Sequence, residues 1–425
     1  MKWNSLTVRI LVGLTLGLGL GAALAAMQVG WLGRATAVTD ALGGVWLDTL
    51  RMTIIPLVFS LLVVGVAQAA GAAKAGGLAA RALLAFAVLL LISATLSAIA
   101  SAALLHVWPA PAAAAEALRA GPKGAAAGIP PAPPLADWLK SLVPSNPVKA
   151  AADGAMASIV LFALVFGLAA SQLAETRRLA LFSLFDAVQA AMMVIVDWVL
   201  LAAPLGVLLL SFGVGAKTGF GAVGLLSQYV VVVSIMCLMG AVIGVLLALV
   251  GGRVRPGRLV EALIPVEAMA ISTQSSLASL PLMLEATERL GVPEQVRGLV
   301  LPMAVAAFRI TSPAANIAVA TYVAHIYGIA LDPGRVAIGA VVACLVSLGA
   351  VGVASSVTFF ASLVPIFMAM GLPLDLLPLF LAVETLPDFS RTIGNVTADV
   401  GVTTLAGRWL KADPAPDVNS ERPGT

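Results

Sequence analysis

Charge is what this 425-residue chain has least of: Asp, Glu, Lys and Arg make up 11% of it, where a soluble domain carries about 25%. That scarcity excludes an ordinary water-exposed enzyme. The shortage is of both signs, and a net charge of +3 with its basic residues at segment ends provides no basic face for nucleic acid. Cysteine is nearly absent. Cys237 and Cys344 lie far apart, each inside an apolar run, which excludes a disulfide framework and a thiolate metal site and leaves two packing residues. Histidine is as scarce: His106 and His325 fall at span ends with no second ligand at useful spacing, and read as interfacial residues.

Long apolar stretches are present in excess. Hydrophobic residues fill 60% of the positions, against about 45–50% in a soluble domain. Runs of the roughly 20 residues needed to cross a bilayer recur from the first one, Leu11–Ala26, onward. Apolar runs between charged punctuation predict spans near 5–27, 43–71, 80–107, 155–171, 180–215 and 221–251, so residues 1–251 form six N-terminal spans. Lys2 and Arg9 precede the first run as in a secretory signal, but a run followed by further spans reads as an uncleaved helix. Residues 108–140, rich in Ala and Pro, predict an external loop, and the polar residues 412–425 a disordered cytoplasmic tail. Between 258 and 410 the apolar runs are interrupted by Ser, Thr, Gly, Pro and charge. Lipid tolerates such interruptions only where the backbone faces protein or a watery path. Lys and Arg near the span ends place both termini in the cytoplasm if this region crosses an even number of times, as two spans and two re-entrant hairpins do. The fold class is an all-α membrane protein.

The final apolar segment, Leu376–Leu410, carries Glu384, Asp388, Arg391, Asn395 and Asp399 at separations of four, three, four and four. At about 100° per residue all five share a stripe of roughly 80° on one helix face, with Thr392 at its edge. A charge at the centre of a span costs roughly 2.5–3.5 kcal/mol even on the gentler scales, so such groups line an ion or substrate path. The alternative is an internal salt bridge, for instance Asp388 with Arg391. The planar fork of Arg391 suits a carboxylate, Asp388 can receive an ammonium group, and Asn395 can donate to a second carboxylate. Together they describe a dicarboxylic amino acid. Asp399 lies one turn deeper, where a carboxylate beside an amide suits a hard monovalent cation.

The run Asp388-Phe-Ser-Arg391-Thr392-Ile-Gly-Asn395-Val-Thr-Ala-Asp399 resembles the eighth-helix signature of the dicarboxylate/amino acid:cation symporter family, the glutamate/aspartate and neutral amino-acid transporters. Ile54-Ile-Pro-Leu-Val-Phe59, Leu142-Val-Pro-Ser-Asn-Pro147 and Thr273-Gln-Ser-Ser-Leu-Ala-Ser-Leu-Pro281 resemble its second-helix, fourth-helix and first-hairpin motifs. The chain looks like a divergent bacterial-type member. The resemblance implies about eight transmembrane helices plus two re-entrant hairpins, in a homotrimer of the bacterial cytoplasmic (inner) membrane. Residues 258–410 then hold hairpin one, span seven, hairpin two and span eight. That transport core, joined by spans three and six, moves by an elevator mechanism against the remaining scaffold. By the same resemblance the substrate ligands are Gln274, Ser275 and Ser276 of hairpin one, Ser312 of the seventh helix, Val353 of hairpin two, and Asp388, Arg391, Thr392 and Asn395.

The chain departs from that family where cations bind. The Asn-Met-Asp-Gly-Thr motif of its seventh helix is replaced by Phe308-Arg309-Ile310-Thr311-Ser312, and third-helix oxygens by Phe86, Leu89 and Leu90. Ala306 and Ala350 stand where hydroxyls are expected, and Ala354-Ser355 where the family has Pro-Gly. Asn395 and Asp399 alone remain as a residual sodium site. Arg309 then reads either as a tethered cation paired with Asp399 or Asp388, or as a structural salt bridge. If coupling passes to protons, Glu384 is the leading carrier, because burial among carboxylates favours a bound proton. The coupling and cation set is Asn395, Asp399, Arg309 and Glu384, with H+ or Na+ as the ion and no cofactor.

The expected function is secondary active transport of aspartate or glutamate, with membrane lipid as surroundings and no enzymatic activity. A C4-dicarboxylate or neutral amino-acid symporter of the same fold is the alternative, and a non-transporting or channel-like relative the alternative class. An intramembrane aspartyl protease is disfavoured, since Arg391 beside Asp388 opposes the shared proton such a dyad needs.

Overall fold

The computed structural model describes residues 6–74, 77–119, 143–219, 221–349 and 355–412, and every regular element among them is helical. Among the described residues, six stretches are long and apolar enough to cross a bilayer: 8–26, 32–67, 77–107, 175–201, 221–251 and 294–327. The first three helices, α1 (Leu6–Ala26), α2 (Leu32–Lys74) and α3 (Gly77–Val107), follow the predicted spans. At 43 residues α2 is about 65 Å long and must extend well beyond the roughly 30 Å hydrocarbon core.

In the middle of the chain one sequence expectation is refined and one is corrected. Residues 112–119, inside the expected loop, form the short helix α4 (Ala112–Arg119), while the stretch from 120 to 142 lies outside the described residues. The expected span 180–215 is two helices, α7 (Glu175–Leu201) and α8 (Ala203–Thr218), which follow α5 (Pro147–Ala152) and α6 (Met156–Ser171). The break falls at Ala202, two residues before Pro204, which has no N–H to continue the ladder. Helix α8 packs along α1 through Gly13, Gly17 and Gly21, one turn apart; a methyl added at Gly21 would lie 2.7 Å from the Ala216 backbone nitrogen.

The second half is built around α13 (Thr311–Tyr327), in which every residue except Ser312 and His325 is buried. It follows α9 (Gly221–Leu246), the hairpin α10 (Pro256–Thr273) and α11 (Ser276–Arg289), and α12 (Glu294–Ala307). The hairpin limbs, of 18 and 14 residues, are about 27 and 21 Å long and fold back on one another, short of a full crossing. A second pair, α14 (Pro333–Gly349) and α15 (Ser355–Met370), packs likewise, with its 350–354 tip outside the described residues. The chain then runs through α16 (Leu377–Val383) into α17 (Thr385–Ala412), and the tail from 413 lies outside the described residues.

Helices α9 and α17 touch almost backbone to backbone. A methyl added at Gly244 would lie 2.6 Å from Ala398 Cα, so only glycine allows the approach. This contact sets the polar face of α17 within reach of α9 side chains.

Candidate functional site

The polar stripe lies on α17 and the turn before it. Pro387 cannot donate to the Val383 carbonyl, so the helix breaks at Glu384, yet Glu384 keeps helical dihedrals of φ −59° and ψ −27°. The stripe therefore survives the break. Glu384, Arg391, Thr392, Asn395 and Asp399 are all buried, while Asp388 is half-buried.

Arg391 pairs with Glu384, seven residues before it, through Nη2 and Oε1. The sequence offered Asp388 as its internal partner; the two-turn reach back is natural, because helical side chains point toward the N-terminus. Tyr229 of α9 closes the other side, donating its hydroxyl to Glu384 Oε2 across 2.8 Å. Its ring stacks on Phe380 with centroids 4.1 Å apart and planes within 3°. Glu384 is thus held by both its oxygens. Arg391 Nε, in contrast, is buried with no hydrogen-bond acceptor among the described residues.

One turn deeper, α12 ends at Ala307 and α13 begins at Thr311, leaving Phe308, Arg309 and Ile310 as an irregular link. Asn395 caps the new helix from across the interface: its Oδ1 accepts the Thr311 N–H at 3.1 Å and faces the Thr311 hydroxyl at 2.9 Å. Ser93 and Ser97 of α3 donate to the carbonyls of Ile310 and Ala314, at 2.9 and 2.6 Å. Phe308 stacks on Phe86 of α3, with centroids 4.9 Å apart, and both rings are fully buried. Arg309 is half-buried in the link. Asp399 is 1% exposed, and its Oδ1 has no hydrogen-bond donor among the described residues.

Hairpin one turns at Gln274, which adopts a left-handed φ of +50° that few residues other than glycine accept. Ser275 follows as the N-cap of α11, accepting the Ala278 N–H at 3.2 Å, and Ser276 is half-buried beside it. Both limbs pack against α17. Ser312 is half-buried at the start of α13, Thr392 donates to the Asp388 carbonyl at 2.9 Å, and Val353 lies outside the described residues.

The profile of the Sodium:dicarboxylate symporter family matches residues 6–409. The chain belongs to that family. The proton/glutamate-aspartate symporter of Escherichia coli (strain K12) is 27% identical over 95% of this chain and 93% of its own length. The neutral amino acid transporter B(0) of Homo sapiens is 30% identical over 92% of this chain and 77% of its own. The C4-dicarboxylate transport protein 2 of Pseudomonas paraeruginosa (strain DSM 24068 / PA7) is 24% identical over 96% and 91%. As a member of the sodium:dicarboxylate symporter family, the chain is an integral membrane transporter and not an enzyme.

Three contacts to α17 and the turn before it were not foreseen in the sequence. Tyr229, inside an apolar run, and Thr311, between Arg309 and Ser312, were given no role there. Glu267 of α10 accepts from the Thr397 hydroxyl at 3.0 Å, joining the hairpin to the side of α17 opposite the stripe, since Thr397 lies about 200° around the helix from Asn395 and Asp399. An acidic residue on a limb too short to cross was the available signal for it.

Proposed function

We propose that this transporter carries an acidic amino acid, aspartate or glutamate, and moves a proton with it on Glu384. The observation that carries the reading is the half-used Arg391: one edge is taken by Glu384, while Nε is a buried donor with no acceptor among the described residues. An unmet buried donor of this kind costs about 1–3 kcal/mol, and a substrate carboxylate supplies the missing acceptor. Asp388, three residues earlier and half-buried, offers a carboxylate for the ammonium group.

Charge balance then assigns a role to Glu384. One guanidinium cannot fully compensate two carboxylates in a medium of low dielectric, and an uncompensated buried charge neutralises itself. As the substrate carboxylate takes Arg391, Glu384 binds a proton and keeps its contact with Tyr229. Substrate and proton enter together and leave together. The homotrimer, the elevator motion, the inner-membrane location and the ligands Gln274, Ser275, Ser276, Ser312, Val353, Thr392 and Asn395 follow the family resemblance.

A C4-dicarboxylate is the second reading, favoured by one observation: Arg309 is half-buried two residues before Thr311, which Asn395 holds, and brings a second guanidinium for a second carboxylate. Thermal stabilisation of the purified protein by a panel of aspartate, glutamate, succinate, malate, alanine and serine separates the readings. Stabilisation by aspartate or glutamate well above succinate is expected. The reverse order supports the dicarboxylate, and stabilisation by the neutral amino acids alone contradicts both.

A further inference from the structure

Between the first helix and the second half of the chain runs an apolar groove of about 560 Å³, apart from the polar stripe. Its floor is Leu14 and Leu18 of α1, Leu226 of α9 and Val383 at the end of α16, all buried, while Val223, Val231 and Leu386 stand exposed along its rim. Helices α1 and α9, which flank it, both have the length and apolarity of spans, so the medium at its mouth is hydrocarbon.

The walls select the occupant. Among the described lining residues none is charged, and the two hydroxyls are spent within their own helices: Thr15 donates to the Leu11 carbonyl and Ser227 to the Val223 carbonyl, each at 2.8 Å. Such walls do not hold water, which needs several polar partners, and give a polar solute nothing to grip. From Gly219, just before α9, to Val231 the lining extends about 18 Å at 1.5 Å per residue. That is close to the depth of one leaflet, half of a hydrocarbon core of about 30 Å. The volume spread over that length leaves a channel about 6 Å across, too narrow for a helix of about 10–12 Å. A methyl added at Gly19, on the α1 wall, would meet no atom within 4 Å, so space is open on that side as well.

We propose that this groove binds one acyl chain of a membrane lipid, and that the chain braces the turn which carries Glu384. In a bilayer the gain is van der Waals packing, because an empty groove leaves its walls without partner atoms. Helix α1 packs along α8 and touches α16, while α9 packs on α16 and α17, so the chain lies along the seam between the two sets of helices. Two lining residues adjoin the polar cluster: Val230 follows Tyr229, and Val383 precedes Glu384. Tyr229 and Glu384 are buried behind them, joined by their hydrogen bond. Pro387 deprives the Val383 carbonyl of its helical donor, so this turn gains from outside support. A chain seated in the groove holds Val383 toward Val230 and keeps Glu384 within reach of the Tyr229 hydroxyl.

The first test needs no substrate. The protein is reconstituted in vesicles of phosphatidylethanolamine and phosphatidylglycerol, doped with a phosphatidylglycerol that carries a photoactivatable diazirine in mid-chain, and the labelled residues are mapped after irradiation. Labelling of Val223, Val231 and Leu386 several-fold above that of Leu84, Val88 and Ile99, which are exposed on α3, is expected. Labelling no stronger than on α3 reduces the groove to ordinary lipid contact and overturns the proposal. Gly19→Leu fills the groove and improves helix propensity; its groove labelling is expected to fall to the α3 level, and labelling that persists overturns the proposal. Should Gly19→Leu not fold, Ser227→Leu makes the same test from the opposite wall. In lipid-stripped detergent solution the wild type is expected to gain about 2–4 °C in melting temperature when phosphatidylglycerol is returned, and Gly19→Leu to gain nothing; an equal gain in both overturns the bracing. The last measurement rests on the proposed substrate: the shift in melting temperature caused by aspartate is expected to grow with phosphatidylglycerol in the wild type and to stay constant in Gly19→Leu. A wild-type shift independent of lipid overturns the bracing of Glu384. If aspartate shifts neither protein, the proposed substrate is wrong, while the labelling and the substrate-free melting still decide the groove.

Discussion

The Tyr229 hydroxyl donates to Glu384 Oε2 across 2.8 Å, from a residue 155 positions earlier in the chain. Through that bond α9 holds the carboxylate which in turn holds Arg391, so the orientation of its guanidinium is set by a neighbouring helix. Burial of Tyr229, Glu384 and Arg391 together makes the arrangement sensitive to loss of any one of them.

Tyr229→Phe keeps the stack on Phe380 and removes only the donor. We expect it to cost about 1–3 kcal/mol of stability and to weaken acidic-substrate binding roughly tenfold, measured by thermal denaturation and by isothermal titration. Binding unchanged within twofold would mean that Tyr229 does not position Arg391.

Arg391→Met leaves Glu384 buried without its partner, a loss of about 3–5 kcal/mol when one half of a buried pair is removed. Arg391→Met/Glu384→Gln is expected to regain most of that stability and still bind no dicarboxylic substrate. Recovery of aspartate binding in the double variant would place the substrate carboxylate elsewhere.

Glu384→Gln imitates the protonated side chain at every pH. Wild-type net uptake is expected to rise when the outside is made acidic relative to the inside. In Glu384→Gln that stimulation should vanish while exchange of internal for external substrate persists. Stimulation preserved in the variant assigns the proton to another group.

Much of this was legible in the sequence, for identifiable reasons. Spans show as apolar runs because lipid demands them, and the stripe from Glu384 to Asp399 shows because its spacing of four, three, four and four follows the helical period. The first hairpin showed through its Thr273–Pro281 motif. The partner of Arg391 was not legible, since Asp388 and Glu384 share its face and the choice depends on the Pro387 break and on Tyr229. The break at Ala202 was hidden within a continuously apolar run. The contact of Asn395 with Thr311 was not legible either, because nothing local reveals that a residue 84 positions away bonds its oxygen.

That contact makes its own prediction. Asn395→Ala removes the acceptor of the first α13 N–H, and should destabilise the protein by about 0.5–2 kcal/mol, the usual worth of a helix cap. The loss should be the same in sodium and in choline. A larger loss in sodium would assign Asn395 to a cation site instead.

The account as a whole is tested most directly by uptake of radiolabelled aspartate into proteoliposomes, with proton and sodium gradients imposed one at a time. Accumulation driven by an inward proton gradient with no sodium present is the predicted result. Uptake that strictly requires sodium and ignores the proton gradient would contradict it.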